Sequence, residues 1–281
     1  MHFDVAIAWR IYPLVSKAPL IHPNDKFQLV KTCLSSFVLS AGDLRVKYYI
    51  ILDGCPSSYE AMTNEILSGK SYEIIKTDKI GNLATFKLQV DLLSNQTEAD
   101  VVYFAEDDYL YKPGVFRNIV NLVREKKADF ASCYFHRDTL THPIHHHKRE
   151  IQYFNEQLWI TDSSTCMTFL TTKATLLKAK NILLTYSRGN NDCAMWLVLT
   201  KTHILNPVSY LRLFSHKESR NILKTGIKYS LQYFFSFQKF KLWIPYPGIG
   251  VHLEKEFIIN KNEWLDVARQ VETATNKTYN V

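Results

Sequence analysis

The first hundred residues alternate between short apolar runs and stretches with helical spacing. Phe3 to Trp9 reads as a buried strand. Pro23-Asn24-Asp25 then opens a helix whose apolar residues Phe27, Val30, Leu34, Phe37 and Val38 share one face. Lys47 to Leu52 is a second strand, closed by the turn residues Asp53-Gly54-Cys55-Pro56. Ser57 and Glu60 fit a capping box for a short helix. A third strand runs from Tyr72 to Lys76. A helix follows through Leu83, Phe86, Val90 and Leu93, and a fourth strand covers Val101 to Ala105.

This βαβαβαβ order predicts an α/β fold with a mostly parallel sheet flanked by helices on both faces. Sheets of that kind bind ligands beyond the carboxyl ends of their strands. Arg10, Asp53, Asp78 and the run Glu106-Asp107-Asp108 therefore occupy the positions of interest. After Phe135 the pattern becomes irregular. A histidine-rich loop spans Thr139 to Arg149, Cys166 to Leu170 is strand-like, and helical segments lie near Thr171 to Ile182 and Asp192 to Thr200.

Composition narrows the class. With 281 residues, 46% of them apolar, the chain can bury a core without staples, so one large domain is expected. Five scattered cysteines with no C-x-x-C pair argue against a disulfide framework or zinc ribbon and for a reducing, cytoplasmic setting. In that setting the sequons at Asn95 and Asn276 are chance matches. No signal peptide or membrane span is expected. The net charge of +7 favours anionic partners without choosing among them, and no nucleic-acid-binding motif is present. Residues 220 to 247 are basic and aromatic, which leaves two readings. Either the aromatics fill a core beneath solvated lysines, or this surface lies peripherally on an anionic membrane.

Glu106-Asp107-Asp108 sits where an apolar strand meets the turn Tyr111-Lys112-Pro113-Gly114. Three adjacent carboxylates repel one another, and a cation offsets that cost. Hard divalent ions such as Mn²⁺ or Mg²⁺ take oxygen ligands, one or two carboxylates together with substrate phosphates. Strand alternation would send Glu106 and Asp108 to one face and Asp107 to the other. The histidines at 142, 145, 146 and 147 have no cysteine or carboxylate companion at a diagnostic zinc spacing, so a solvated loop is expected there.

The alternating half that ends in an acidic triplet resembles the GT-A glycosyltransferases. More narrowly, Val102 to Tyr109 resembles a bacterial family-2-like group. Leu52 to Pro56, Ser163 to Phe169, Asn191 to Trp196 and Pro247 to Glu254 are similar to that group in the same order. The resemblance implies a GT-A-type, Rossmann-like fold with an irregular acceptor-side C-terminal part. Residues 1-136 would be the nucleotide-sugar-binding half, 137-260 the acceptor-side half of the same domain, and 261-281 a C-terminal helix or tail.

It also implies roles. Asp108 would bind the Mn²⁺ or Mg²⁺ that bridges the donor diphosphate, with His252, or alternatively His216, as a further metal ligand. Asp107, Glu106, Asp53 and Arg10 would contact the nucleotide-sugar donor. Asp192, opening a late helix, would be the catalytic base of an inverting transfer; the competing reading of Asp192 is a helix cap. The acceptor would be a saccharide or a lipid-linked saccharide, in bacterial surface polysaccharide or lipopolysaccharide assembly. Two alternatives stand beside this reading. A sugar nucleotidylyltransferase would need a glycine-rich loop after the first strand, which is absent, and a non-catalytic carbohydrate- or nucleotide-binding relative would not need all three acids.

Overall fold

In the computed structural model, which describes residues 3–15, 17–125, 127–204, 207–236 and 238–279, the alternating half of the chain folds as its pattern predicts. β1 (Val5–Ile11), α1 (Lys26–Ala41), β2 (Val46–Asp53), α2 (Ser57–Ile66), β3 (Ser71–Thr77), α3 (Gly81–Asn95) and β4 (Val101–Glu106) follow in that order. The four strands pair in parallel as β3-β2-β1-β4. Asp25 caps α1 by accepting from Gln28 N at 2.9 Å. The expected capping box at α2 is not made: Pro56 holds the cap position and Ser57 is already helical, so its hydroxyl makes no cap bond.

The second half completes a mixed sheet. β5 (Tyr109–Tyr111), α4 (Phe116–Arg124), β6 (Phe130–Ala131), α5 (Asp138–Thr141), β7 (Ile151–Phe154), β8 (Gln157–Asp162), β9 (Phe169–Thr172), α6 (Lys173–Leu183) and α7 (Asp192–Thr200) come first. They are followed by α8 (Pro207–Ser215), α9 (Lys217–Phe234), β10 (Leu242–Tyr246), β11 (Gly250–His252) and α10 (Lys261–Tyr279). The nine-stranded sheet runs β3-β2-β1-β4-β9-β6-β10-β8-β7, and β9 enters antiparallel to both β4 and β6. The α/β class and the helix-flanked sheet are as expected, with the parallel part concentrated at β3-β2-β1-β4.

Side-chain alternation assigns each strand residue to one of two core layers. Val5, Ile7, Trp9, Val101, Tyr103 and Ala105 meet α1, α4 and α10 on one face. Ala6, Ala8, Val102 and Phe104 meet α3, α6 and α7 on the other. Because both faces are covered, the central strands are apolar at nearly every position rather than at every second one. Among the described residues no helix is long and apolar enough to cross a membrane.

A two-stranded sheet of β5 and β11 stands apart. Its antiparallel register puts His252 opposite Tyr109, and Leu253 N donates to Asp108 O at 2.9 Å. Gly250 fits this pairing because a Cβ there would approach Cys133 and Tyr111 to 3.0 Å. The strand pair thus carries a residue from the end of the chain to the acidic run.

Candidate active site

β4 ends at Glu106, and the chain turns through Asp107 and Asp108, so strand alternation stops where the acids begin. Each acid then finds its own cation. Register places Arg10, near the end of β1, beside Glu106, and the two form an ion pair while Thr168 Oγ1 donates to the other Glu106 oxygen at 2.9 Å. Asp107 accepts from Lys26 Nζ at 2.6 Å and from Tyr12 N at 2.7 Å. Asp108 Oδ2 lies 3.0 Å from His252 Nε2. The repulsion expected within the triplet is therefore offset by three separate partners.

The electrostatics follow from this partition. Burial alone would raise Asp108, but the charge and hydrogen bond of His252, aided by Lys26 and Arg10, hold it down at about 2. Burial would lower His252, yet Asp108 lifts it to about 8. Asp107 moves the other way: burial and the charge of Asp108 outweigh Lys26 and raise it. Lys26 is itself raised, its burial being outweighed by Asp107 and Asp108.

A cavity of about 390 Å³ opens over these groups, lined by Arg10, Lys26, Asp53, Asn82 and the three acids, among others. Arg10, Asp53 and the triplet, all expected at strand ends, line the same space. Asp53 is already engaged there. It accepts from Thr77 Oγ1 (2.8 Å), Ile80 N (2.7 Å) and Gly81 N (2.8 Å), so both carboxylate oxygens tie β3 to the start of α3. A larger cavity of about 750 Å³ is lined by Lys148, Arg149, Asp162, Lys239 and Lys241. β10 runs parallel to β4 through β6, so the Leu242 end, which borders that cavity, lies at the opposite sheet edge from the triplet.

The residues around the smaller cavity fit a divalent ion. Asp108 Oδ1 is buried without a hydrogen-bond partner, an arrangement that calls for an explanation such as an ion. Its other oxygen faces an imidazole nitrogen, so Asp108 and His252 present one oxygen and one nitrogen donor together. His216 packs instead against His142, with ring centroids 5.3 Å apart.

Asp192 opens α7, but the cap is its neighbour: Asn191 Oδ1 accepts from Ala194 N at 2.7 Å. Asp192 accepts from Cys193 N at 2.8 Å and is only partly buried. Burial and then the charge of Glu106 raise its carboxyl, partly offset by the Cys193 N–H.

Sequence reasoning missed several contributors. Lys26 begins α1, and nothing in its local spacing marks it as a partner of the triplet. Gln89, fully buried on α3, donates to Ala8 O and Ala105 O, bridging the two strands that carry Arg10 and Glu106. A buried glutamine in an apolar helix face was the available signal. The histidine-rich loop is also less solvated than expected: His145 is buried with its Nδ1 2.5 Å from Asp162 Oδ1, and Asp162, otherwise raised by burial, is held low by His145 and His147. The carboxylate companion comes from β8, beyond any local spacing.

No family model matches the chain, and no curated protein matches it. Among solved structures, S. aureus TarS 1-349 in complex with UDP-GlcNAc aligns at 9% identity over 85% of this chain and 74% of that one, with a TM-score of 0.43. The same protein in complex with UDP aligns at 12% identity over 70% and 54%, at 0.45. Mannosyltransferase PcManGT from Pyrobaculum calidifontis, in complex with GDP-Man and Mn²⁺, aligns at 11% over 48% and 36%, at 0.36. In the last two alignments the chain spans less than two thirds of the other protein. Likeness at this level carries no argument about activity, which rests on the site itself.

Proposed function

We propose that the chain is a metal-dependent glycosyltransferase that moves a sugar from a nucleotide-sugar donor to a saccharide or lipid-linked saccharide acceptor. One observation carries the reading: at the strand ends, one buried Asp108 oxygen lacks a partner while the other faces His252, and Asp108 lines a cavity together with Arg10 and Lys26. Such a constellation suits a nucleoside diphosphate bound together with a divalent ion. Asp108 and His252 would hold Mn²⁺ or Mg²⁺. When bound, the ion supplies charge neutralisation for the departing diphosphate.

The chain's own groups do the remaining work. Arg10 and Lys26 add positive charge on the donor side, oriented by Glu106 and Asp107. Glu106 and Asp107 orient donor hydroxyls with the lone pairs left over from those ion pairs. Asp53 acts on the donor through the loop it holds. Asp192 removes the acceptor hydroxyl proton, and its raised pKa brings it closer to a useful base strength. Direct attack assisted by such a base inverts the anomeric centre.

The resemblance in sequence supports placing this reaction in bacterial surface polysaccharide or lipopolysaccharide assembly, on the cytoplasmic side. Peripheral membrane contact belongs to the same proposal. It is supported by α9, whose exposed residues include Arg220, Lys224 and Lys228 together with Ile227 and Leu231, followed by Phe235 at 85% exposure.

The test is a screen of nucleotide sugars for thermal stabilisation, with and without Mn²⁺, followed by product analysis. A bound donor raises stability with its concentration relative to Kd. Metal-dependent stabilisation by one nucleotide sugar with transfer supports the proposal. Stabilisation without transfer or hydrolysis points to a non-catalytic binding relative, and no stabilisation by any donor overturns both.

A further inference from the structure

The residue set His142, His216 and Glu218 plays no part in the proposed glycosyl transfer. His142 follows α5 in the histidine-rich loop, His216 occupies the position just before α9, and Glu218 lies in the first turn of α9. More than seventy residues of sequence separate the first from the other two. The fold nevertheless brings one ligand atom from each to within 4.8 Å of the others. His142 Nε2 stands 3.4 Å from Glu218 Oε2, and the two imidazoles meet edge to face at 83°. Ser219 Oγ, 3.4 Å from His216 Nδ1, is placed to steady that ring.

We propose that these three side chains form a second metal site, selective for Zn²⁺, that ties the α8–α9 junction to the histidine-rich loop. Two imidazoles and one carboxylate are a borderline nitrogen-rich donor set, which favours zinc over Mn²⁺ or Mg²⁺. A tetrahedral ion with bonds near 2.0–2.1 Å sets its ligand atoms about 3.3 Å apart. The present spacing closes to that value by a small movement, and Glu218, 73% exposed at its side chain, has room to make it. Water takes the remaining position. The site shares no residue with the Asp108–His252 pair.

Proton balance is straightforward. His142 Nδ1 accepts the Ile144 N–H at 3.2 Å, so in the metal-free protein the ring proton sits on Nε2, towards Glu218. Coordination through Nε2 moves that proton to Nδ1, which keeps the imidazole neutral. The long Ile144 contact is then given up.

Tag-free protein tests this directly. It is dialysed against Zn²⁺ with excess Mn²⁺, and bound zinc is measured by mass spectrometry in wild type, Asp108→Asn, His142→Ala, His216→Ala and Glu218→Gln. Co²⁺ absorption reports whether the geometry is tetrahedral. The expected result is one equivalent of zinc in both wild type and Asp108→Asn, with affinity at least about tenfold weaker in the other three variants. Glu218→Gln alters only an exposed side chain, so it keeps the test valid should a histidine variant fail to fold. Absence of retained zinc in wild type, its loss in Asp108→Asn, or unchanged affinity in Glu218→Gln overturns the proposal.

Discussion

His252 Nε2 stands 3.0 Å from Asp108 Oδ2, although 144 positions separate them in the chain. The β5–β11 register makes the contact, and the ring is held in place by stacking on Tyr109 at 5.1 Å between centroids. The imidazole and this carboxylate oxygen form an ion pair, in keeping with the opposed shifts of their pKa values, while Asp108 Oδ1 is left without a partner.

A divalent ion held by Asp108 and His252 would make donor binding metal-dependent. Removing either ligand should lower kcat/KM by about a hundredfold or more, since such ions supply several kcal/mol of charge stabilisation. Asp108→Asn and His252→Ala are the variants to measure, with donor titrations by calorimetry in Mn²⁺ and in EDTA. His216→Ala should leave Mn²⁺-dependent donor binding unchanged. Full activity in EDTA would remove the metal from the reaction.

Asp192 and Asn191 are adjacent, and the structure divides cap from candidate base between them. Asn191→Ala should cost about 1 kcal/mol of stability, because it removes the bond to Ala194 N. Asp192→Asn should keep the fold and donor affinity while turnover falls by two to four orders of magnitude, roughly the usual contribution of a general base. Thermal melts and single-turnover rates separate the two effects. A product that retains the donor's anomeric configuration by NMR would exclude the base role.

The raised Asp192 carboxyl also sets a pH dependence. A base works deprotonated, so turnover should climb with pH through a limb above the ordinary aspartate value of about 3.9, and Asp192→Asn should lack that limb. Stability runs in the opposite sense. A carboxyl raised by folding favours the native state fully below its unfolded pKa, and that contribution is lost as pH rises through the folded pKa. Asp192→Asn should therefore gain Tm relative to wild type at pH 7 compared with pH 4, as scanning calorimetry can show.

Asp53 lines the donor cavity, yet both its oxygens are spent on the β3–α3 loop. Asp53→Ala should lower folding stability by about 3 kcal/mol, because three part-buried hydrogen bonds to a charged acceptor are lost. Donor affinity should fall less than tenfold under conditions where the variant is folded. A larger loss of affinity without loss of stability, measured by urea titration beside calorimetry, would return Asp53 to direct contact with the ligand.

What the sequence determined by itself is local. Apolar runs placed β1 to β4 within two residues at each end, and helical spacing placed α1 to α3 between them, because periodicity is set by neighbours in the chain. The same locality put Arg10, Asp53 and the acidic triplet at strand ends, where a parallel sheet gathers them. Tertiary structure decided who partners whom. Lys26, the first residue of α1, reaches Asp107 in the turn after β4, and His145 meets Asp162 at the end of β8. His216 joined His142 and Glu218, and His252 went to Asp108. The reason is physical: a histidine's neighbours across a fold depend on strand register and helix packing between distant segments, and no spacing within either segment encodes them.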